Sequence, residues 1–277
     1  MPIMHEFLAG RSPPDLYHLY LMSAFEPWAR TLTAALPPKG QALDLACGTG
    51  LVSRILAGNE AVEHVSAIDV APPMIDKAKA LSQDHAAKID YQVASALELP
   101  FSDTQYDCCY CQQGLQFFPD KPAALREVKR VLKPGARAAF SIWCSAANGN
   151  PVFAAFEQIV AERLGDDLIP FGPFSFGERS EVERVANEAE LEVISLEPVS
   201  IPSILPDPRT FVLFDLAFLG RPAPDGTLMP ILNFDDPASD AVIEELVGRM
   251  QRATAEFVQA DGTLLAPMQA HILVVQA

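Results

Sequence analysis

Between residues 41 and 144, short β-rich runs alternate with stretches in which apolar side chains recur every three or four positions. That alternation is the pattern of parallel strands joined by crossover helices. The runs predict strands over Gln41–Ala46, Glu63–Asp69, Ile89–Ala94, Tyr106–Cys111 and Ala136–Trp143. Before the last of these, Asp120 stands as the N-cap of a helix whose buried face is Leu125, Val128, Val131 and Leu132, with Lys133, Pro134 and Gly135 stopping it. Beyond Trp143 the rhythm changes. A turn at Asn148–Pro151 leads to a helix over Val152–Leu164, a phenylalanine-rich loop, a helix over Glu178–Ala189 and a strand over Leu191–Val199. Pro202, Pro206 and Pro208 then precede an apolar helical run, and Val242, Leu246, Met250 and Phe257 line one side of a second helix. Met268–Val275 again has strand character. The economical arrangement is an α/β fold with a doubly wound, mostly parallel sheet. Residues 1–199 and 261–277 form the main domain, and 200–260 an inserted helical cap.

Such a sheet binds ligands beyond the carboxyl ends of its strands, and the first strand ends in LDLACGTG, Leu43–Gly50. Gly48 and Gly50 can take backbone angles closed to other residues and carry no side chain to hold a ligand off. The helix that follows, with Leu51, Val52, Ile55 and Leu56 on one face, offers its N-terminus. A dinucleotide fingerprint needs a third small glycine-like residue three positions after the second glycine; Ser53 occupies that place, which disfavours nicotinamide chemistry. The string resembles instead the first motif of class I S-adenosylmethionine-dependent methyltransferases, here Asp44, Ala46, Gly48 and Gly50, with Ala46 where the broad pattern prefers glycine. The resemblance implies a Rossmann-like fold, S-adenosyl-L-methionine as cofactor, and contact from Asp44, Ala46, Cys47, Gly48 and Gly50.

Asp69 ends the second predicted strand 19 residues after Gly50, about where an acidic residue meets ribose hydroxyls in nucleotide folds. By resemblance, Val70 and Met74 pack the adenine. Ser95, Ala96 and Leu97 meet its edge, Ser95 standing where many relatives carry Asp. The segment from Cys111 through Gly135 looks like the later motifs of the group that includes ubiquinone and menaquinone biosynthesis C-methyltransferases and many natural-product O- and N-methyltransferases. That likeness places Gln112 and Gln113 at the methionine end of the cofactor. Gln116 lies where other relatives often have His, and an amide cannot take a proton at neutral pH. The N-terminal LYHLYLMSAFEPWA looks like the helix that covers the cofactor in this group. Tyr17, Tyr20, Phe25 and Trp28 suit one face of it, although Phe25 and Trp28 equally suit packing on the sheet. His18 and Tyr20 are the only candidates there for catalysis, and no general base is evident among His5, His64, His85 and His271.

A formal net charge of −16 and a pI near 4.6 leave no basic footprint for nucleic acid. No apolar run reaches membrane-helix length, and the first fifteen residues lack a signal-peptide pattern, so a cytoplasmic protein without membrane insertion is expected. Cys47, Cys108, Cys109, Cys111 and Cys144 read as buried thiols. Cys108 and Cys111 have CxxC spacing, but residues three apart on a strand face opposite sides. The acidic pairs Asp166–Asp167 and Asp235–Asp236 read as solvated loop carboxylates, so no metal is expected. Phe153, Phe156, Phe171, Phe174, Phe176, Phe211, Phe214 and Phe218 suit either an apolar acceptor pocket or the core between cap and sheet. The expected activity is methyl transfer to a small, apolar or aromatic acceptor, with oligomeric state left open and a homodimer compatible. The competing reading is a protein that binds the cofactor without transferring its methyl.

Overall fold

The computed structural model describes residues 2–165, 172–222 and 228–277. In chain order the elements are α1 (Ile3–Leu8), α2 (Pro13–Ala35), β1 (Gly40–Leu45), α3 (Leu51–Ala57), β2 (Val62–Asp69), α4 (Pro72–Leu81), β3 (Ile89–Val93), β4 (Tyr106–Gln112), α5 (Lys121–Val131) and β5 (Leu132–Trp143). They continue as α6 (Pro151–Leu164), α7 (Arg179–Glu188), β6 (Glu192–Leu205), α8 (Pro208–Phe218), the short pair β7 (Gly220–Pro222) and β8 (Leu228–Pro230), α9 (Pro237–Ala253) and β9 (Leu264–Gln276). Two compact units result. One comprises Phe25–Ser145, Phe176–Ser200 and Gln269–Ala277; the other comprises Met1–Ala24, Ala146–Ser175 and Ile201–Met268.

The sheet order is β3-β2-β1-β4-β5-β9-β6. Strands β1 to β5 pair in parallel, and β9 pairs antiparallel with β5. The fold is therefore the doubly wound, mostly parallel sheet expected from the sequence. The order reverses between β1 and β4, so the crevice that such a reversal opens lies where those two strands end. The central strands β1 and β4 are buried on both faces, and alternation assigns the side chains of the sheet to two cores. Leu43, Leu45, Cys109, Cys111 and Phe140 pack with Leu125 and Val128 of α5 and Val182 and Val185 of α7. Ala42, Cys108, Tyr110 and Ala139 pack with Ala29 and Leu32 of α2, Val52 and Leu56 of α3 and Ile75 of α4. Cys108 and Cys111 thus enter opposite cores, as their spacing on a strand requires.

Several boundaries differ from expectation, among them the start of β9, at Leu264 rather than Met268. Leu132 leaves the helix and pairs with Tyr106, so β5 begins before Lys133–Pro134–Gly135 rather than after it. The residue before a proline is biased to extended backbone, and Gly135, at φ +75°, donates its N–H to the Ala277 carbonyl at 3.2 Å. Strand β6 runs on to Leu205, through Pro202; it sits at the end of the sheet order, where a proline's missing N–H costs no ladder bond. Helix α9 stops at Ala253, which leaves Phe257 on a separate 3₁₀ turn rather than on the helix.

In the other unit the phenylalanines pack on one another. Phe153 lies 4.5 Å from Phe174 and 5.0 Å from Phe211, ring centre to ring centre, and Phe214 lies 4.7 Å from Phe218. Phe176 does not join them. It is buried in the sheet unit, with the Lys121 ammonium 4.8 Å above its ring. Phe171, Asp166 and Asp167 lie outside the described residues.

Candidate functional site

The turn after β1 is built on left-handed backbone. Ala46, Gly48 and Gly50 have φ of +55°, +53° and +78°. Ala46 takes an angle that costs a residue with a Cβ roughly 1–2 kcal/mol, which is a physical reason for a preference for glycine there. The turn is closed by the Gly50 N–H to the Cys47 carbonyl at 2.8 Å and tied to β2 by the Cys47 N–H to the Ile68 carbonyl at 2.9 Å. The two glycines differ in their surroundings. A Cβ on Gly50 would fall 2.3 Å from the Tyr91 hydroxyl oxygen, which is itself 2.8 Å from Ser82 Oγ. A Cβ on Gly48 would meet nothing within 4 Å.

Asp69 organises the next turn. Its Oδ2 accepts the Gly48 N–H and its Oδ1 the Ala71 N–H, both at 2.9 Å. One carboxylate thereby joins the loops after β1 and β2, and each oxygen keeps a lone pair for a further donor. Val70, beside it, is 73% exposed although apolar, and Met74 is half-buried on the first turn of α4. After β3, Ser95 Oγ accepts the Leu97 N–H at 3.1 Å, so that N–H is already committed within the loop. Ala96 is buried and Leu97 half-buried against the core. At the end of β4, Gln112 donates from Nε2 to the Phe25 carbonyl at 2.9 Å and so fastens the second half of α2. Gln113 has φ +53°, donates its N–H to the Ser141 carbonyl and its Nε2 to Ser141 Oγ, both at 2.9 Å, and is 6% exposed.

Asp44 is 1% exposed beneath the turn, and its Oδ2 accepts from Ser53 Oγ. Ser53, the residue that departs from the dinucleotide pattern, is therefore the internal partner that locks α3 to β1. The sheet unit thus carries Asp44, Ala46, Cys47, Gly48, Gly50, Asp69, Val70, Met74, Ser95, Ala96, Leu97, Gln112 and Gln113 along the carboxyl edge of its parallel strands. His18 and Tyr20 belong to the other unit, where Tyr20 stacks on Phe7 at 5.8 Å and meets Phe214 edge-on at 6.0 Å.

The family described as "Methyltransferase domain" matches residues 43–140. The chain is 30% identical to a ubiquinone biosynthesis O-methyltransferase of Xanthomonas axonopodis pv. citri, over 61% of this chain and 69% of that protein. The chain belongs to the methyltransferase domain family. A second relative is the O-methyltransferase resE of Aspergillus sclerotiorum, 32% identical over 57% of this chain and 56% of its own length. The chain spans little more than half the length of the first curated relatives it matches. Among solved structures, a putative methyltransferase from Bacillus halodurans aligns with a TM-score of 0.58 over 90% of this chain and 97% of that one, at 17% identity, a likeness of fold.

Two further residues beside the candidate site stand out by their unmet hydrogen-bonding groups. Among the described residues, Thr49 Oγ1, inside the glycine turn and 1% exposed, has no hydrogen-bond partner, and neither has either amide atom of Gln116, 5% exposed on the 3₁₀ turn after β4. Gln113 Oε1 is likewise unsatisfied. Buried polar atoms without partners cost about 1–3 kcal/mol each, and these four lie in the loops after two adjacent strands, β1 and β4.

Burial also pushes up the Asp44 carboxyl, from 3.8 to about 7 against the opposing Ser53 hydrogen bond. In the other unit burial raises Glu157 from 4.5 to about 7 and Asp215 from 3.8 to about 8. A carboxyl whose folded value exceeds its unfolded one binds more protons when folded, so its contribution is complete below the unfolded value and lost as pH rises through the folded one. Thermal melts should therefore show the unfolding midpoint falling steadily from about pH 5 to about pH 8. Asp44→Asn should flatten that slope below about pH 7, between the unfolded and folded values of its carboxyl, and leave the part above it; an unchanged slope would mean Asp44 ionises freely in the folded chain.

Proposed function

We propose that this chain is a methyltransferase that uses S-adenosyl-L-methionine and acts on a small, uncharged, apolar or aromatic acceptor. The observation that carries the reading is the pairing of Asp69 with the Gly48 N–H beneath open space. It sets an acceptor carboxylate beside bare backbone at the sheet's switch point. The residues present fit the cofactor's groups. Asp69 is suited to the ribose hydroxyls, exposed Val70 with Met74 to the adenine faces, and the Ser95–Leu97 loop to the adenine edge. Gln113 Oε1, an acceptor without a donor, suits the cofactor's ammonium, and Thr49 Oγ1 suits its carboxylate. Asp44, with Ala46 and Cys47, shapes the turn from below, and Gln112 holds α2 to the sheet.

When bound, the cofactor supplies a sulfonium-activated methyl group. That methyl would be taken up by an acceptor lone pair, with the electron pair of the broken carbon–sulfur bond left on a neutral sulfur. The protein's part is to hold donor and acceptor in line and exclude water, which can supply much of the acceleration. We assign acceptor selection to the aromatic unit, with residues 200–260 as the cap and His18 and Tyr20 as its polar candidates. The acidic surface argues against nucleic acid as acceptor. No described helix is long and apolar enough to cross a membrane, and a cytoplasmic site of action accords with the reading. Oxygen as the methylated atom is supported by the names of two of the curated relatives, the O-methyltransferase resE and the ubiquinone biosynthesis O-methyltransferase.

Calorimetry with S-adenosylmethionine, S-adenosylhomocysteine and a nicotinamide dinucleotide tests the cofactor. Micromolar binding of the first two alone is expected, and preference for the dinucleotide would overturn the reading. Turnover of labelled methyl into an acceptor panel tests the reaction, and tight binding with no transfer to any member would assign the chain to cofactor binding alone.

A further inference from the structure

The unsatisfied groups at the strand ends are not equivalent. Gln113 commits its Nε2 to Ser141, and Thr49 sits inside the glycine turn. Gln116 alone leaves both ends of its amide, a carbonyl acceptor and an NH₂ donor, without any partner while 5% exposed. It stands on the 3₁₀ turn Leu115–Phe117, which follows β4 directly beyond the switch point, between fully buried Leu115 and a Phe117 that is exposed. Leu115 anchors that turn in the core, yet among the described residues nothing uses the amide. Methionine or leucine would fill the same volume without stranding a donor and an acceptor.

We propose that Gln116 recognises the methyl acceptor, its amide donating to and accepting from the single hydroxyl that is to be methylated. The inference rests on the reading of the chain as a methyltransferase and specifies its acceptor as a neutral phenol-type molecule. A hydroxyl is both donor and acceptor and so satisfies both halves of an amide. A carboxylate or phosphate would leave the Gln116 carbonyl unpaired, and an ammonium would leave its NH₂ unpaired. The amide holds the hydroxyl and does not take its proton, which is released to solvent water as the methyl is transferred; Gln116 is a specificity-determining residue rather than a base.

The test compares wild type with Gln116→Met, each saturated with S-adenosylhomocysteine and titrated with 1-naphthol and, separately, with 1-methoxynaphthalene. Binding of S-adenosylhomocysteine itself should change less than twofold. Its loss from wild type would sink the methyltransferase reading and not this inference alone. The variant should bind 1-naphthol at least tenfold more weakly and 1-methoxynaphthalene about as well as wild type does, because only the hydroxyl engages the amide. The ligand-free variant should also melt at a higher temperature, since the stranded polar atoms are gone. A raised melting temperature with unchanged naphthol affinity would overturn the proposal, as would failure of wild type to prefer 1-naphthol over its methyl ether.

Discussion

Gly48→Val is expected to abolish binding of S-adenosylmethionine, by ~100-fold or more, while leaving a folded protein. The argument is the contrast with the glycine two positions on. At Gly48 an added side chain enters open space, so the cost to the fold is confined to holding a β-branched residue at φ +53°, roughly 1–2 kcal/mol. That same open space is the path by which a ligand reaches the Gly48 backbone, and a valine fills it. At Gly50 the situation is reversed. A methyl there meets the Tyr91 hydroxyl at 2.3 Å and Ala78 Cβ at 3.2 Å, both in the buried core behind the turn. Gly50→Ala should therefore lower the unfolding midpoint well below that of Gly48→Val. Calorimetry and thermal melts on the two variants separate the roles. Normal binding by folded Gly48→Val would place the ligand elsewhere on the chain.

What the sequence shows and what it hides follow from how local each signal is. The parallel strands are legible because strands buried on both faces read as short continuous β-rich runs, and their boundaries hold to within a residue or two at β1, β2, β3 and β4. Helix α2 is legible only in part. Its aromatic face suggests a helix over Leu16–Ala29, but the element runs from Pro13 to Ala35 straight through Pro27, which in a local reading ends a helix. Burial of Trp28, Ala29 and Leu32 outweighs the lost backbone bond, and Trp28 packs edge-on against Trp143 at 5.2 Å, a contact that depends on the sheet being in place. The extension of β6 past Pro202 depends likewise on its edge position. At the site, acidic and glycine residues announce themselves by type and spacing. Ser53 was visible as a departure from one motif but not as the partner of Asp44, because that bond needs α3 docked on β1. The isolation of Gln116 is invisible in principle, since an unmade hydrogen bond leaves no mark on a sequence.

Asp69→Ala should weaken cofactor binding by about 1–3 kcal/mol, a ~5- to ~150-fold rise in Kd. The carboxylate does two things, and the loss can come through either. It shapes the site by accepting the Gly48 and Ala71 N–H groups, one on each oxygen, and it offers its remaining lone pairs to a ligand. Asp69→Asn does not separate these roles, because one of its two positions becomes an NH₂ facing a backbone N–H, and it should also bind poorly. A double-mutant cycle with the ligand as second partner does separate them. S-Adenosylhomocysteine and its 2′-deoxy analogue are titrated into wild type and Asp69→Ala. If the carboxylate holds the ribose, removing the hydroxyl is costly in wild type and nearly free in the variant. Equal penalties in both proteins would confine Asp69 to building the turn, and the ribose would have to be held by another group on the same strand edge.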